Sequence, residues 1–273
     1  MKASHETLYY KNSAIFNTIG YLMVIGVNVL AGLGMINGNT TAQVSDKYDN
    51  LFVPAGFTFS IWGVIYLALL GFIIYQLWLA FAAGHEDALE RFMERMRGWW
   101  LISCMANSCW LFAWHYELLP LALLLMLTLL ISLLAIHLNF NIAAPGFKNK
   151  APEPGRAVRW FIYVPFSLYL GWICVATVAN IAALMVYSGW DGMSVPITAI
   201  LILLACVGAT FLVVLRHNIV AGMVAIWAFY GIIAKRQSEV TTMALPVIIC
   251  CLTAIGIVLI AGVWEVFHKK AVK

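Results

Sequence analysis

The sequence predicts an all-α integral membrane protein of about eight transmembrane helices. Of its 273 residues, 63% are hydrophobic and 10% charged, whereas a soluble domain carries about 25% charge and under half apolar residues. The apolar residues fall in long unbroken runs, and about 20 such residues cross a 30 Å hydrocarbon core at 1.5 Å each. Lys and Arg gather in alternate connections between the runs, as the cytoplasmic retention of basic loops requires.

In order, the runs cover 14–36, 56–82, 99–114, 118–140, 160–187, 195–215, 218–234 and 243–266. Lipid admits only helices or closed barrels, because every backbone N–H and C=O must be paired within the protein. Continuous rather than alternating apolarity selects helices. The first run, with acidic Glu6 before it, exceeds the 7–15 apolar residues typical of a signal peptide and reads as a retained span. The third and seventh runs are the shortest. Residues 1–190 hold the first five spans, and 191–273 add three more with a basic tail.

With the N-terminus inside, the inner segments hold Lys2, Lys11, Arg91, Arg95, Arg97, Lys148, Lys150, Arg156, Arg159, Arg216, Lys269, Lys270 and Lys273, which is 13 of the 16 basic residues. Lys47, Lys235 and Arg236 fall outside. This asymmetry supports an even span count with both termini cytoplasmic, in a multi-pass protein of what reads as a bacterial cytoplasmic membrane. It also accounts for the net charge of +4 without a nucleic-acid partner. Cys104, Cys109, Cys174, Cys206, Cys250 and Cys251 all lie within spans and read as small apolar packers, not as a disulfide framework or zinc site.

Among the connections, 37–53 (NGNTTAQVSDKYDNLFV) is polar and long enough to fold over the membrane face. In 84–98 (GHEDALERFMERMRG), Leu89, Phe92, Met93 and Met96 recur at helical spacing. That segment reads as a solvated helical hairpin tip, with an extension of the second or third helix or a helix lying along the interface as the alternatives. PGFKNKAPEPGR, between the fourth and fifth spans, is a flexible basic turn.

All 28 formal charges lie in loops or near span ends, Glu117 and Glu265 included. Proton and sodium pathways and voltage sensors generally mark themselves with charges deep in a span. His115 and His137 lie near helix ends without metal-ligand spacing, and read as interfacial polar residues. No P-loop, GxSxG elbow or catalytic triad is present, so an enzyme acting on a lipid or pigment is the least supported function.

What the spans do carry is neutral, polar and aromatic. Trp62 and Tyr66 stand four apart, on one helical face. Asn107, Trp110 and Trp114 form a second stripe, and Tyr169, Trp172, Ala176 and Asn180 a third. Taken singly, Trp and Tyr are common at membrane interfaces and Asn bonds helix to helix. Recurring on three helices, they describe faces that turn away from lipid, since an unbonded amide in hydrocarbon is costly, and that together suit a flat or bulky apolar ligand.

The order of these motifs resembles the TspO/MBR family, the tryptophan-rich sensory or translocator proteins. LFVPAGFTFSIWGVIYLALLGFIIYQLW carries Pro54, Trp62, Tyr66, Gly71 and Trp78 in the manner of that family's second helix. ANSCWLFAW is similar to its third-helix element, and YLGWICVATVAN to its fifth. The resemblance runs from about Ala14 to Ser188. It departs at Ser60, where the family has a second proline, at Ser103, where it has glutamine, and at Pro165, which lies farther from Trp172 than usual. The resemblance implies a five-helix bundle, enlarged here by the last three spans, with a pocket under the loop after the first helix. It also implies a homodimer and a bound porphyrin, haem-like or sterol-like ligand, with no cofactor required.

The ligand-binding residues expected are Trp62, Tyr66, Asn107, Trp110, Tyr169, Trp172, Ala176 and Asn180, with Asp46, Lys47 and Asp49 in the loop cap. Two functions are weighed: a binding or sensory protein, and a transporter of a neutral or amphipathic metabolite not coupled through buried charges. The last three spans favour transport, and Trp227 and Tyr230 there echo IWGVIY as IWAFYG.

Overall fold

The computed structural model describes residues 2–143, 155–239 and 242–271, and the described residues are helices and their connections. They are α1 (Lys2–Gly32), α2 (Thr41–Lys47), α3 (Ile61–Phe81), α4 (Glu86–Met96), α5 (Trp99–His115), α6 (Leu119–Asn139), α7 (Arg156–Val158), α8 (Val164–Tyr187), α9 (Val195–Arg216), α10 (Ile219–Ser238) and α11 (Ala244–Ala271). A 3₁₀ turn, Gly56–Ser60, leads into α3, and a π turn, Arg159–Tyr163, joins α7 to α8. Most of the basic turn PGFKNKAPEPGR falls outside the described residues.

Seven segments are long and apolar enough to cross a membrane. The eighth expected span is α5, whose 17 residues still reach about 25 Å at 1.5 Å each. Its ends explain its length. Gly98, at φ 76°, turns the chain from α4, and Leu118 and Pro120 start the next helix immediately after it. At the head of α8, Pro165 has no N–H to give the carbonyl four residues back, and the turn before it is wound wide.

The first five spans close on themselves: α3 packs on α1, α1 on α5, α5 on α6, α6 on α8, and α8 again on α3. The last three pack together, and α10 lies along the outer side of α8, with α9 beside it. Wedged between ring and trio, α8 is the most enclosed span, its apolar stretch 67% buried against 33–56% for the other six segments. Small residues permit this: a Cβ at Gly171 would stand 2.9 Å from the Ala221 backbone on α10.

Polar groups within the ring are paired across helices. Asn17 Nδ2 donates to Gln76 Oε1 at 3.0 Å, and Trp100 Nε1 to the Asn17 carbonyl at 2.9 Å. Tyr21 donates to the Tyr66 carbonyl at 3.0 Å. The segment expected as a solvated tip is instead α4, a helix of its own. Its Leu89, Phe92, Met93 and Met96 are buried, with Phe92 against Phe72 and Phe140, because burying that apolar face outweighs leaving it in water. Two charges near span ends are also buried: Arg236, paired with Glu239, and Glu265, paired with His217.

A methyl at Gly171 would press on the Ala221 backbone and on Val224 Cβ, neither of which can swing aside. Gly171→Ala should therefore destabilise the fold by about 1–3 kcal/mol and lower the Tm in detergent, while Gly208→Ala, with open space around it, should leave the Tm nearly unchanged.

Candidate functional site

The three polar-aromatic stripes meet inside the ring. Trp62 is the hub: its ring stacks on Tyr66 at 5.5 Å and lies 6.2 Å from Trp110, 6.0 Å from Tyr169 and 6.1 Å from Trp172. Trp110 stacks on Trp114 at 5.8 Å, and Phe59 meets Trp172 edge-on at 6.1 Å. Edge-to-face and offset pairs of this kind contribute about 0.5–1.5 kcal/mol each beyond burial.

The amides hold these rings in place. Trp110 Nε1 donates to Asn180 Oδ1 at 3.0 Å, and Asn180 Nδ2 donates to the Ala176 carbonyl at 2.8 Å. Deeper in the ring, Asn28 Nδ2 donates to Asn107 Oδ1 at 2.9 Å, and Asn107 Nδ2 to the Tyr169 hydroxyl at 3.0 Å. Trp172 Nε1, by contrast, is buried without a hydrogen-bond partner among the described residues.

A cavity of about 40 Å³ lies between these rings and the loop after α1. Of the residues expected at the site, Trp62, Trp110, Trp172, Ala176 and Asn180 line it. Tyr66, Asn107 and Tyr169 form the layer beneath and support the rings. The lining also takes in Thr41 and Ser45 of α2, Phe52, Pro54 and Phe59 of the segment leading to α3, and Ala228 and Ile232 of α10. Sequence reasoning missed α10 because Ala228 and Ile232 are ordinary apolar residues and only packing places them there. A second groove, between α5 and α6, is open and lined by Met105, Cys109, Leu125 and neighbours, without converging polar groups.

The loop after α1 forms a lid over the cavity. Thr40 and Gln43 cap α2 reciprocally, and Trp114 Nε1 donates to the Thr41 carbonyl at 3.2 Å. Asp46, Lys47 and Asp49 face away from the cavity into ion pairs. Lys47 meets Glu117 at 2.6 Å, and Lys235 of α10 meets Asp46 at 2.9 Å and Asp49 at 3.0 Å. Beyond Asp49, the Leu51 N–H donates to the Gly192 carbonyl and the Ala55 N–H to the Gly231 carbonyl. Gly192 is required there, since a Cβ would lie 2.4 Å from the Asp49 carbonyl oxygen. His115 and His137 bond the carbonyls four residues back through Nδ1, and no group of three metal-ligating side chains occurs among the described residues.

A family profile described as TSPO-like protein matches residues 14–264. The chain belongs to the TSPO-like family. The match runs through the last three helices of this TSPO-like chain as well as the first five. Comparisons with characterised proteins and with solved structures give no match.

Glu117 accepts from both Lys47 and Tyr48, and these bonds hold its carboxyl below the usual 4.5. Its contribution to the lid is therefore complete at neutral pH and is lost only as pH falls through that lowered value. The Tyr48 hydroxyl, pushed up to about 12 by burial and by Glu117, stays a donor throughout the neutral range. Glu117→Gln should loosen the lid at neutral pH, read as severalfold faster tryptic cleavage after Lys47; an unchanged cleavage rate would show that the lid is held without it.

Proposed function

We propose that this protein is a membrane receptor for a flat or bulky, largely apolar ligand held between Trp62, Trp110 and Trp172 beneath the α2 lid. The observation that carries this reading is the unpartnered Trp172 Nε1–H in the aromatic box, at a ring that lines the cavity. A buried donor without an acceptor costs about 1–3 kcal/mol, and a ligand carbonyl or ring nitrogen would satisfy it. The chemistry suits tetrapyrroles and sterol-like molecules, with the cytoplasm on the side opposite the lid.

The cavity as closed has room for about three waters, at roughly 10–15 Å³ each, whereas occupied ligand pockets run to about 300–1,000 Å³. Binding a porphyrin therefore requires the lid to lift or the indoles to swing, and the ion pairs of Lys47 and Lys235 are the contacts that such a movement must break. Transport is the second reading, favoured by α10 lining the cavity; gradient-independent uptake of the same ligand into proteoliposomes would support it over binding alone.

Protoporphyrin IX should quench the tryptophan fluorescence of the purified protein saturably. Trp62→Ala with Trp172→Ala should weaken the affinity at least tenfold, about 1.4 kcal/mol. Undiminished affinity in that variant would remove this pocket from consideration.

A further inference from the structure

The polar side chains that line the cavity are few, neutral and unevenly engaged. Asn180 is bonded through both ends of its amide, accepting from Trp110 and donating to the Ala176 carbonyl. Trp172 Nε1–H has no acceptor among the described residues, and its side chain is 4% exposed. On the lid side, Thr41 and Ser45 belong to the lining, and neither hydroxyl forms a hydrogen bond among the described residues. The open groups therefore stand on two walls, an indole on α8 and hydroxyls on α2. An indole N–H can only donate, and a hydroxyl can donate as well as accept. A ligand that completes both walls carries an acceptor at each of two ends.

Charge narrows the ligand further. No Asp, Glu, Lys or Arg among the described residues lines the cavity, and Lys47 and Lys235 of the lid region are paired with carboxylates. A carboxylate drawn into this lining would lose its hydration without gaining a counter-charge, which is strongly unfavourable. Neutral carbonyls meet the same donors without that cost. The indole faces of Trp62, Trp110 and Trp172 are electron-rich, so an electron-poor ring is the better stacking partner. Size points the same way, since a closed cavity of about 40 Å³ must expand far less for two or three fused rings than for a tetrapyrrole.

Granted that the cavity is the ligand site proposed above, we infer that its ligand is a membrane-soluble quinone. One carbonyl accepts from Trp172 Nε1–H, the other from Thr41 or Ser45, and the ring stacks on the indoles. A sterol fills the same space but brings a single hydroxyl and no π face. A porphyrin diacid enters only with its carboxylates held outside the lining.

The test titrates the purified full chain with two flat probes of one shape, anthraquinone and anthracene, by quenching of tryptophan fluorescence. Each dissociation constant is corrected for partition of the probe into empty micelles. Anthraquinone should bind about tenfold tighter. Trp172→Phe keeps a ring and removes the N–H, and should cut that preference about fivefold. Anthracene, which needs no hydrogen bond, reports whether the pocket of the variant is intact. Thr41→Val with Ser45→Ala leaves the Thr40 cap of α2 in place and should likewise reduce the preference. Equal affinities for the two probes, or an undiminished preference in Trp172→Phe, would overturn the quinone while leaving the cavity as a ligand site. Binding of neither probe would overturn both. Tighter binding of anthracene carboxylate than of anthracene would overturn a neutral ligand.

Discussion

The structure depends on one helix having almost no lipid to face. With the closed ring on one side and α9 and α10 on the other, α8 must satisfy its polar groups internally and keep its neighbours close. It does the first, Trp172 Nε1 excepted, by turning Thr177 and Asn180 back onto their own helix and by offering Tyr169 and Asn180 to the amide and indole of α5. It does the second with Gly171, Ala176 and Ala183. The cavity follows from the same economy of side chains: where Ala176 and Ala179 leave space beside Trp172, no bulky residue fills it.

The rings around that space are held from behind as well as from the sides. Trp62 touches four other aromatics, while Asn180 orients Trp110. Asn107 is fixed by Asn28 on one side and gives its own N–H to Tyr169 on the other. A chain of amides and hydroxyls therefore runs from α1 through α5 to α8 directly beneath the box. In a medium without water such bonds have few competitors, although their net worth in membrane proteins averages only about 0.6 kcal/mol. Their role is as much to fix orientation as to add stability.

The membrane class, the number of long helices and the three stripes were legible because they rest on local periodicity: apolar run length, and residues three, four or seven apart. Legibility ended where partners are distant in sequence. Asn17, Asn28 and Gln76 gave no signal, since a lone amide in an apolar run points to no partner until the helices are arranged. The α4 face, Leu89 to Met96, was visible as amphipathic, but nothing local separates a helix tucked under Phe72 and Phe140 from one in solvent. Asp46, Lys47 and Asp49 were legible only as members of the loop cap; their ion pairs with Glu117 and Lys235 join residues remote in sequence. The contribution of α10 to the cavity was invisible for the same reason.

That tie between Lys235 and the loop after α1 joins points 189 and 186 residues apart. A chain emerging into the membrane from its N-terminus completes the ring of five helices well before α10 exists. Until α10 arrives, the cavity lacks one wall and its lid lacks its far fastening, so the aromatic box stands open to lipid. The closed pocket therefore requires a helix from the last quarter of the chain to be in place beside the first five.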